Sequence, residues 1–144
     1  METATMGKVV VSAKIESLED LYRVHRGEIP RQDVRSIEIP DALVDTVATG
    51  LGVPKRLIEQ LGLKPGQKRR VRTTAGPREA QMYDAAQLTV QGRDCRVDVT
   101  EVPDDCPVLI GQVPRELLDF VVDPQGQRLI GNPEHGGQHM IDMF

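Results

Sequence analysis

Apolar residues recur in this chain in short alternating runs, and closely spaced turn signals interrupt them; that pattern restricts the fold most. Val11-Ser12-Ala13-Lys14-Ile15 alternates, as do Val34 to Ile39 and Arg96 to Val102, which is the period of half-buried strands. Lys8 to Ile15 reads as a first strand. Pro40-Asp41 breaks the second, and Ala42-Leu43-Val44 is a short buried run leading into Asp45. Residues 69–75 and 78–91 read as two strands around Gly76-Pro77, with Gln91-Gly92-Arg93-Asp94 as the turn to the next. Pro107-Val108-Leu109-Ile110-Gly111 is a second buried run. Asp123-Pro124-Gln125-Gly126 separates candidate strands at Phe120–Val122 and Arg128–Ile130, and Met140 to Phe144 is a last extended segment.

Helical signals are few. Pro54 to Leu61 places Leu57, Ile58 and Leu61 on one face, with Pro at the first turn and Gly62 as the stop. Pro114 to Phe120 reads as a second short helix. Leu18 to Pro30 is polar and mixed, and reads as a loop with room for a helical turn. Many short strands with two short helices make a mainly β fold, and turns at this density favour a closed barrel or a sandwich.

A chain of 144 residues supplies one well-buried core. Residues 1–7 read as a disordered lead-in and 8–144 as a single domain. Aromatic residues are 3% with no Trp, so the core falls to Val, Leu, Ile and Met. A net charge of −4 with so few stacking side chains argues against nucleic-acid binding. The basic cluster Lys68-Arg69-Arg70 with Arg72 reads as the solvated start of a strand. No apolar run reaches the roughly 20 residues of a membrane helix, and no secretory signal is visible, so the expectation is a cytoplasmic protein without a membrane partner. Cys95 and Cys106 fit no zinc or redox spacing and read as reduced thiols.

The segment that carries chemistry is Leu43-Val44-Asp45-Thr46-Val47-Ala48-Thr49. A carboxylate just beyond a buried strand must be hydrogen-bonded, paired or functional, because desolvating it alone is costly. Downstream, Val108-Leu109-Ile110-Gly111 sets aliphatics and a Gly shortly before a helix. Asp41 beside Pro40 reads as a turn residue, and Asp104-Asp105 as an exposed acidic turn. Gly50, Gly52 and Gly111 read as turn and close-packing glycines with no phosphate-loop pattern. His135 and His139 share the i, i+4 spacing of helical zinc sites, but Gly136-Gly137 argues against a helix, so a flexible polar connection is expected there.

Taken in order, these residues resemble the retropepsin-like aspartic proteases. Leu43-Val44-Asp45-Thr46-Val47-Ala48-Thr49 stands for the family's apolar run and Asp-Thr-Gly-Ala motif. Thr73-Thr74-Ala75-Gly76-Pro77 stands for its flap, and Leu109-Ile110-Gly111 for its aliphatic-aliphatic-Gly run; the resemblance spans about residues 8–130. It implies a closed β-barrel of the acid-protease type and a homodimer acting on peptide or protein substrates, without metal or cofactor. Asp45 would be the catalytic carboxylate and Thr46 its positioning residue. Val47, Ala48, Thr74, Ala75, Gly76 and Ile110 would contact substrate. Two departures stand out: Val47 replaces the motif Gly, and Gln112 follows Gly111 where retroviral members carry Arg. A β-branched side chain at 47 is expected to crowd both the loop and the cleft. Two other readings stay open: a protease-fold dimer serving as a non-catalytic peptide-binding or scaffolding module, and an unrelated small β domain.

Overall fold

The computed structural model describes residues 8–143; the lead-in expected over residues 1–7, and Phe144, lie outside the described residues. The first strand, β1 (Val9–Ser17), buries Val9, Val11, Ala13 and Ile15 along one face, as its alternation dictates. It pairs antiparallel with β2 (Ser36–Val44), from Val9 opposite Val44 to Glu16 opposite Ser36. The expected break at Pro40-Asp41 is instead a bulge, with both residues set against Ser12 alone. Proline has no N–H to give a ladder, so a bulge accommodates it and the strand runs on to Val44.

Between these strands lies an element the polar composition concealed, α1 (Leu18–His25). The Ser17 side chain accepts the Asp20 N–H at 3.2 Å, Glu19 and Asp20 stand in the first turn, and Arg23 and His25 in the last. Caps and charges of these signs stabilise a short helix. Asp20 is buried and accepts from Arg35 Nε (2.8 Å), Nη2 (2.9 Å) and the Arg35 backbone N–H (3.0 Å). The Arg35 hydrogen bonds outweigh burial and hold the Asp20 carboxyl down to about 2.

Five further strands complete the main sheet: β3 (Leu51–Pro54), β4 (Pro65–Thr73), β5 (Gly76–Val90), β6 (Arg93–Val102) and β7 (Leu109–Ile110). Their order is β1-β2-β7-β3-β6-β5-β4, and β5 also pairs with β1. Six strands therefore form a ring of mixed parallel and antiparallel ladders, with β4 outside it; the fold is mainly β, as expected, and the observed form is this ring of strands. A bulge at Asp84-Ala85, opposite Asp98, divides β5. Beyond it, residues 86–89 pair with β1, and before it residues 76–83 pair with β4. One long strand thus serves both the ring and a projecting hairpin. Ile15, Val44, Leu51, Leu88, Val99 and Ile110 are fully buried within the ring.

Helix α2 (Lys55–Leu61) follows β3, with Pro54 before it and Gly62 closing it at φ 65. Asp104 Oδ1 accepts the Arg56 N–H at 3.1 Å, so the exposed acidic turn caps this helix. Helix α3 (Gln112–Leu118) begins two residues earlier than its sequence pattern suggests, and Asp119 ends it in the left-handed region. Phe120 therefore opens β8 (Phe120–Asp123) rather than closing a helix; β8 pairs with β9 (Arg128–Gly131) as expected. Residues 138–143 form no strand, against expectation. His135 ends a 3-10 turn (Pro133–His135), and its Nδ1 lies 2.7 Å from Asp119 Oδ2. His139 Nε2 contacts the Leu117 carbonyl at 2.9 Å, so the expected flexible connection is tied to α3. Both cysteines are free; burial pushes the Cys95 thiol up to about 11.

Candidate active site

The run Ala42-Leu43-Val44 carries β2 to Asp45, and β7 lies between β2 and β3. β7 is parallel to β2, with Leu43 opposite Leu109 and Val44 opposite Ile110, and antiparallel to β3. Leu43 N–H donates to Val108 O (2.8 Å) and Asp45 N–H to Ile110 O (3.0 Å), so the ladder fixes the backbone up to Asp45 itself. The chain then turns through residues 45–50 and returns as β3.

That turn is anchored by the start of α3. The N–H groups of Gly111, Gln112 and Val113 donate to the carbonyls of Gly50 (2.9 Å), Ala48 (2.8 Å) and Thr49 (2.8 Å). Gly111 is needed for space. A Cβ there would lie 2.5 Å from Gly50 O, 2.6 Å from Ala48 O and 2.7 Å from Thr49 C, all of them backbone atoms. Gly52 is a close-packing glycine of the same kind, since its Cβ would lie 2.9 Å from Val102 Cγ1. β3 itself was hidden in the sequence because Gly50 and Gly52 read as turn residues, although all four of its residues are buried.

Asp45 Oδ1 accepts the backbone N–H groups of Val47 (2.9 Å) and Ala48 (3.2 Å), an Asx-type closure of the loop. Oδ2 takes no hydrogen bond from the described residues. One carboxylate oxygen is held and its neighbour is open. Thr46 is exposed, and its hydroxyl likewise has no partner among the described residues. The expected crowding of the loop by Val47 does not occur: its φ is not positive, and its side chain is 90% exposed. Nothing in this turn requires the left-handed backbone that favours glycine.

The hairpin of β4 and β5 turns at Thr74-Ala75, two residues before the expected Gly76-Pro77, with Thr73 paired to Gly76. Thr73 Oγ1 donates to Gly76 O (2.7 Å) and accepts the Ala75 N–H (3.1 Å), which fixes the tip. Thr74 and Ala75 are exposed and Gly76, at φ 104, is half-buried. At the hairpin's base Tyr83 donates to Glu101 Oε1 at 2.7 Å; burial and that carboxylate push its hydroxyl up to about 12. Thr100 Oγ1 lies 3.3 Å from Met82 Sδ, and Gly50 packs beside Thr100. The Asp45 loop and the root of the hairpin therefore adjoin through Thr100. An open groove beside Thr100 is lined by Gly50, Met82, Arg96, Asp98, Val113 and Leu117, among others.

Ile110, expected to line a cleft, is fully buried and belongs to the core; a large apolar side chain near it that does reach the surface is Val113, 43% exposed, which is not among the residues expected at the site. Its signal was its place on the first turn of α3, directly after the aliphatic-Gly run. Gln112 stays at the surface, with Nε2 donating to Glu116 Oε2 at 3.0 Å. Asp41 sits exposed on the β2 bulge. Among the described residues no three His, Cys, Asp or Glu side chains gather to hold a metal ion, and no helix is long and apolar enough to cross a membrane.

A family model described as aspartyl protease matches residues 33–124, which include the Asp45 loop, the hairpin and α3. No curated protein matches the chain. Among solved structures, the chain is similar to the simian foamy virus (mac) protease in solution, at 22% identity and a TM-score of 0.47. That match covers 76% of this chain and 93% of that one.

Proposed function

Because the chain belongs to the retropepsin-like aspartyl protease family, we propose that it hydrolyses peptide bonds as a homodimer, with Asp45 of each copy forming one catalytic pair. The observation that carries this reading is the half-held carboxylate: Oδ1 is fixed by two backbone N–H groups while Oδ2 is open. A single carboxylate so placed is half of an acid–base pair. The chain has one Asp-Thr-x-Ala-Thr segment, so the second half comes from another copy.

Two such carboxylates brought close together cannot both ionise, so the pair shares one proton. The ionised member takes a proton from a water held between them, and that water attacks the scissile carbonyl. The protonated member donates to the carbonyl oxygen as the tetrahedral intermediate forms. The two titrations belong to the pair rather than to either residue. Thr46, exposed and without a partner among the described residues, is suited to bond across the two-fold axis and orient the carboxylates. The hairpin tip at Thr74, Ala75 and Gly76 would close over the peptide and exclude water, while Val47 and Ala48 would contact it from the loop.

The Val47 isopropyl group narrows the cleft in this arrangement and slows the reaction, but the loop geometry gives no reason to favour a non-catalytic scaffold. The test compares the chain with its Asp45→Asn variant in cleavage of an unstructured protein, alongside hydrodynamic mass. The expected result is cleavage by the first alone, with dimeric mass for both. Equal cleavage by both, or a monomeric active species, would refute the proposal.

A further inference from the structure

The β4–β5 hairpin is strongly cationic. Its projecting part, residues 65–83, carries Lys68, Arg69, Arg70, Arg72 and Arg78 against one acid, Glu79. Five cations and one anion give it +4 in a chain of net −4, so the remainder carries −8. All five cations are exposed, and none forms an ion pair with a described residue. Burial does not explain them, and neither does internal pairing; the hairpin is a free positive arm on an acidic body.

The ladder sorts these charges onto two faces. Cross-strand partners share a face, as do residues two apart. Arg69 pairs with Ala80 and Val71 with Arg78, and Ala80 is two residues from Met82. Met82 meets Thr100, which packs beside Gly50 of the Asp45 loop. Arg69 and Arg78 therefore stand on the face that continues toward the candidate cleft. Lys68, Arg70 and Arg72 occupy the reverse face, where Glu79 is paired opposite Arg70.

We infer that Arg69 and Arg78 select substrates with acidic residues flanking the cleaved bond, a specificity that rests on the protease reading above. An extended acidic peptide matches two guanidinium groups spaced along one face: Arg69, opposite Ala80, stands two strand residues from Met82 and Arg78 four, roughly 7 Å and roughly 13 Å along the hairpin. Nucleic acid fits the same charge less well. The one aromatic side chain of the hairpin, Tyr83 at its base, is half-buried and bonded to Glu101, so no exposed ring is offered for a base to stack on.

The test uses the full chain with Asp45→Asn, so that binding is read without cleavage. Three labelled probes are compared by fluorescence anisotropy: a peptide with an apolar centre flanked by glutamates, its glutamine counterpart, and a single-stranded RNA. The glutamate peptide is expected to bind about tenfold tighter than the glutamine one at low salt, and the gap should shrink at ~0.5 M salt. Arg69→Gln with Arg78→Gln should reduce the gap to within about twofold, while Arg70→Gln with Arg72→Gln should leave most of it. Equal binding of the two peptides, binding of neither, an equal effect of the two variant pairs, or tighter binding of the RNA would each overturn the inference. Cleavage by the unsubstituted chain is scored separately. A glutamate preference without cleavage would refute the protease reading and leave the charge selection standing.

Discussion

The Val47 N–H donates to Asp45 Oδ1 at 2.9 Å, and this bond is independent of what side chain residue 47 carries. Glycine at that position would offer the same N–H, so the departure from the family motif leaves the carboxylate's anchor intact. What changes is the surface beside it. The Val47 side chain projects into solvent two residues beyond Asp45, and on the proposed reading it faces the substrate.

Val47→Gly should therefore raise kcat/KM by about tenfold, the size of a relieved steric clash of ~1.4 kcal/mol. The added backbone freedom should lower stability by about 0.5–1 kcal/mol. Peptide-cleavage kinetics with urea unfolding check both. Equal activity of the two forms would show that the side chain does not obstruct substrate.

Gly111→Ala should be far more disruptive than its single methyl suggests. The new Cβ would meet the carbonyl oxygens of Gly50 and Ala48 and the Thr49 carbon, and backbone yields less readily than a side chain. A loss of about 3 kcal/mol in urea unfolding is expected, with activity abolished because the Asp45 loop must move. Gln112→Ala, whose side chain reaches only Glu116 at the surface, should change stability by less than about 0.5 kcal/mol.

The Asp20–Arg35 pair sets a limit on acid stability. The Asp20 carboxyl, ordinarily at 3.8, is held down to about 2 in the folded chain. A lowered folded value adds stability above the unfolded value, and that stability disappears as pH falls through the folded one. Asp20→Asn should cost about 1–2 kcal/mol at neutral pH, a figure reduced because Arg35 is 44% exposed, and should flatten the stability curve between pH 4 and 2. Denaturation followed across that range checks it.

His135 and Asp119 tie down the C-terminal segment within a different window. Their hydrogen bond raises His135 above 6.5 and lowers Asp119 below 3.8, and Asp119 also accepts the Met140 N–H at 3.0 Å. A raised histidine contributes below its unfolded value and loses that contribution as pH rises through the folded one; the lowered carboxyl loses its own as pH falls. Amide exchange at Met140 should thus be slowest between about pH 4 and 6.5, after correction for intrinsic rates. His135→Gln should abolish the rise on the alkaline side.

Much of this was legible in the sequence because it is local. The alternation of β1 and β6, the Pro54 and Gly62 bounds of α2, and the Asp45 motif all depend on near neighbours. What escaped depends on partners distant in the chain. Pro40-Asp41 becomes a bulge only because Ser12 stands opposite both residues. Helix α1 is held by Arg35, fifteen residues beyond Asp20. β3 looks like a glycine turn until Val102 and Leu109 pack against Gly52. Ile110 reads as a cleft residue by its place before Gly111, yet two ladders draw it into the core. At the hairpin, Gly76-Pro77 supplied a strong turn signal, but the ladder pairs Gly76 with Thr73 and leaves the turn to Thr74-Ala75.

If each chain supplies half of one catalytic pair, mixing active and inactive subunits must extinguish cleavage. A fixed amount of the unsubstituted chain is equilibrated with increasing Asp45→Asn chain, and peptide cleavage is followed. Cleavage is expected to fall toward zero as mixed dimers holding a single Asp45 replace active ones. Cleavage that stays constant through excess Asp45→Asn chain would contradict it.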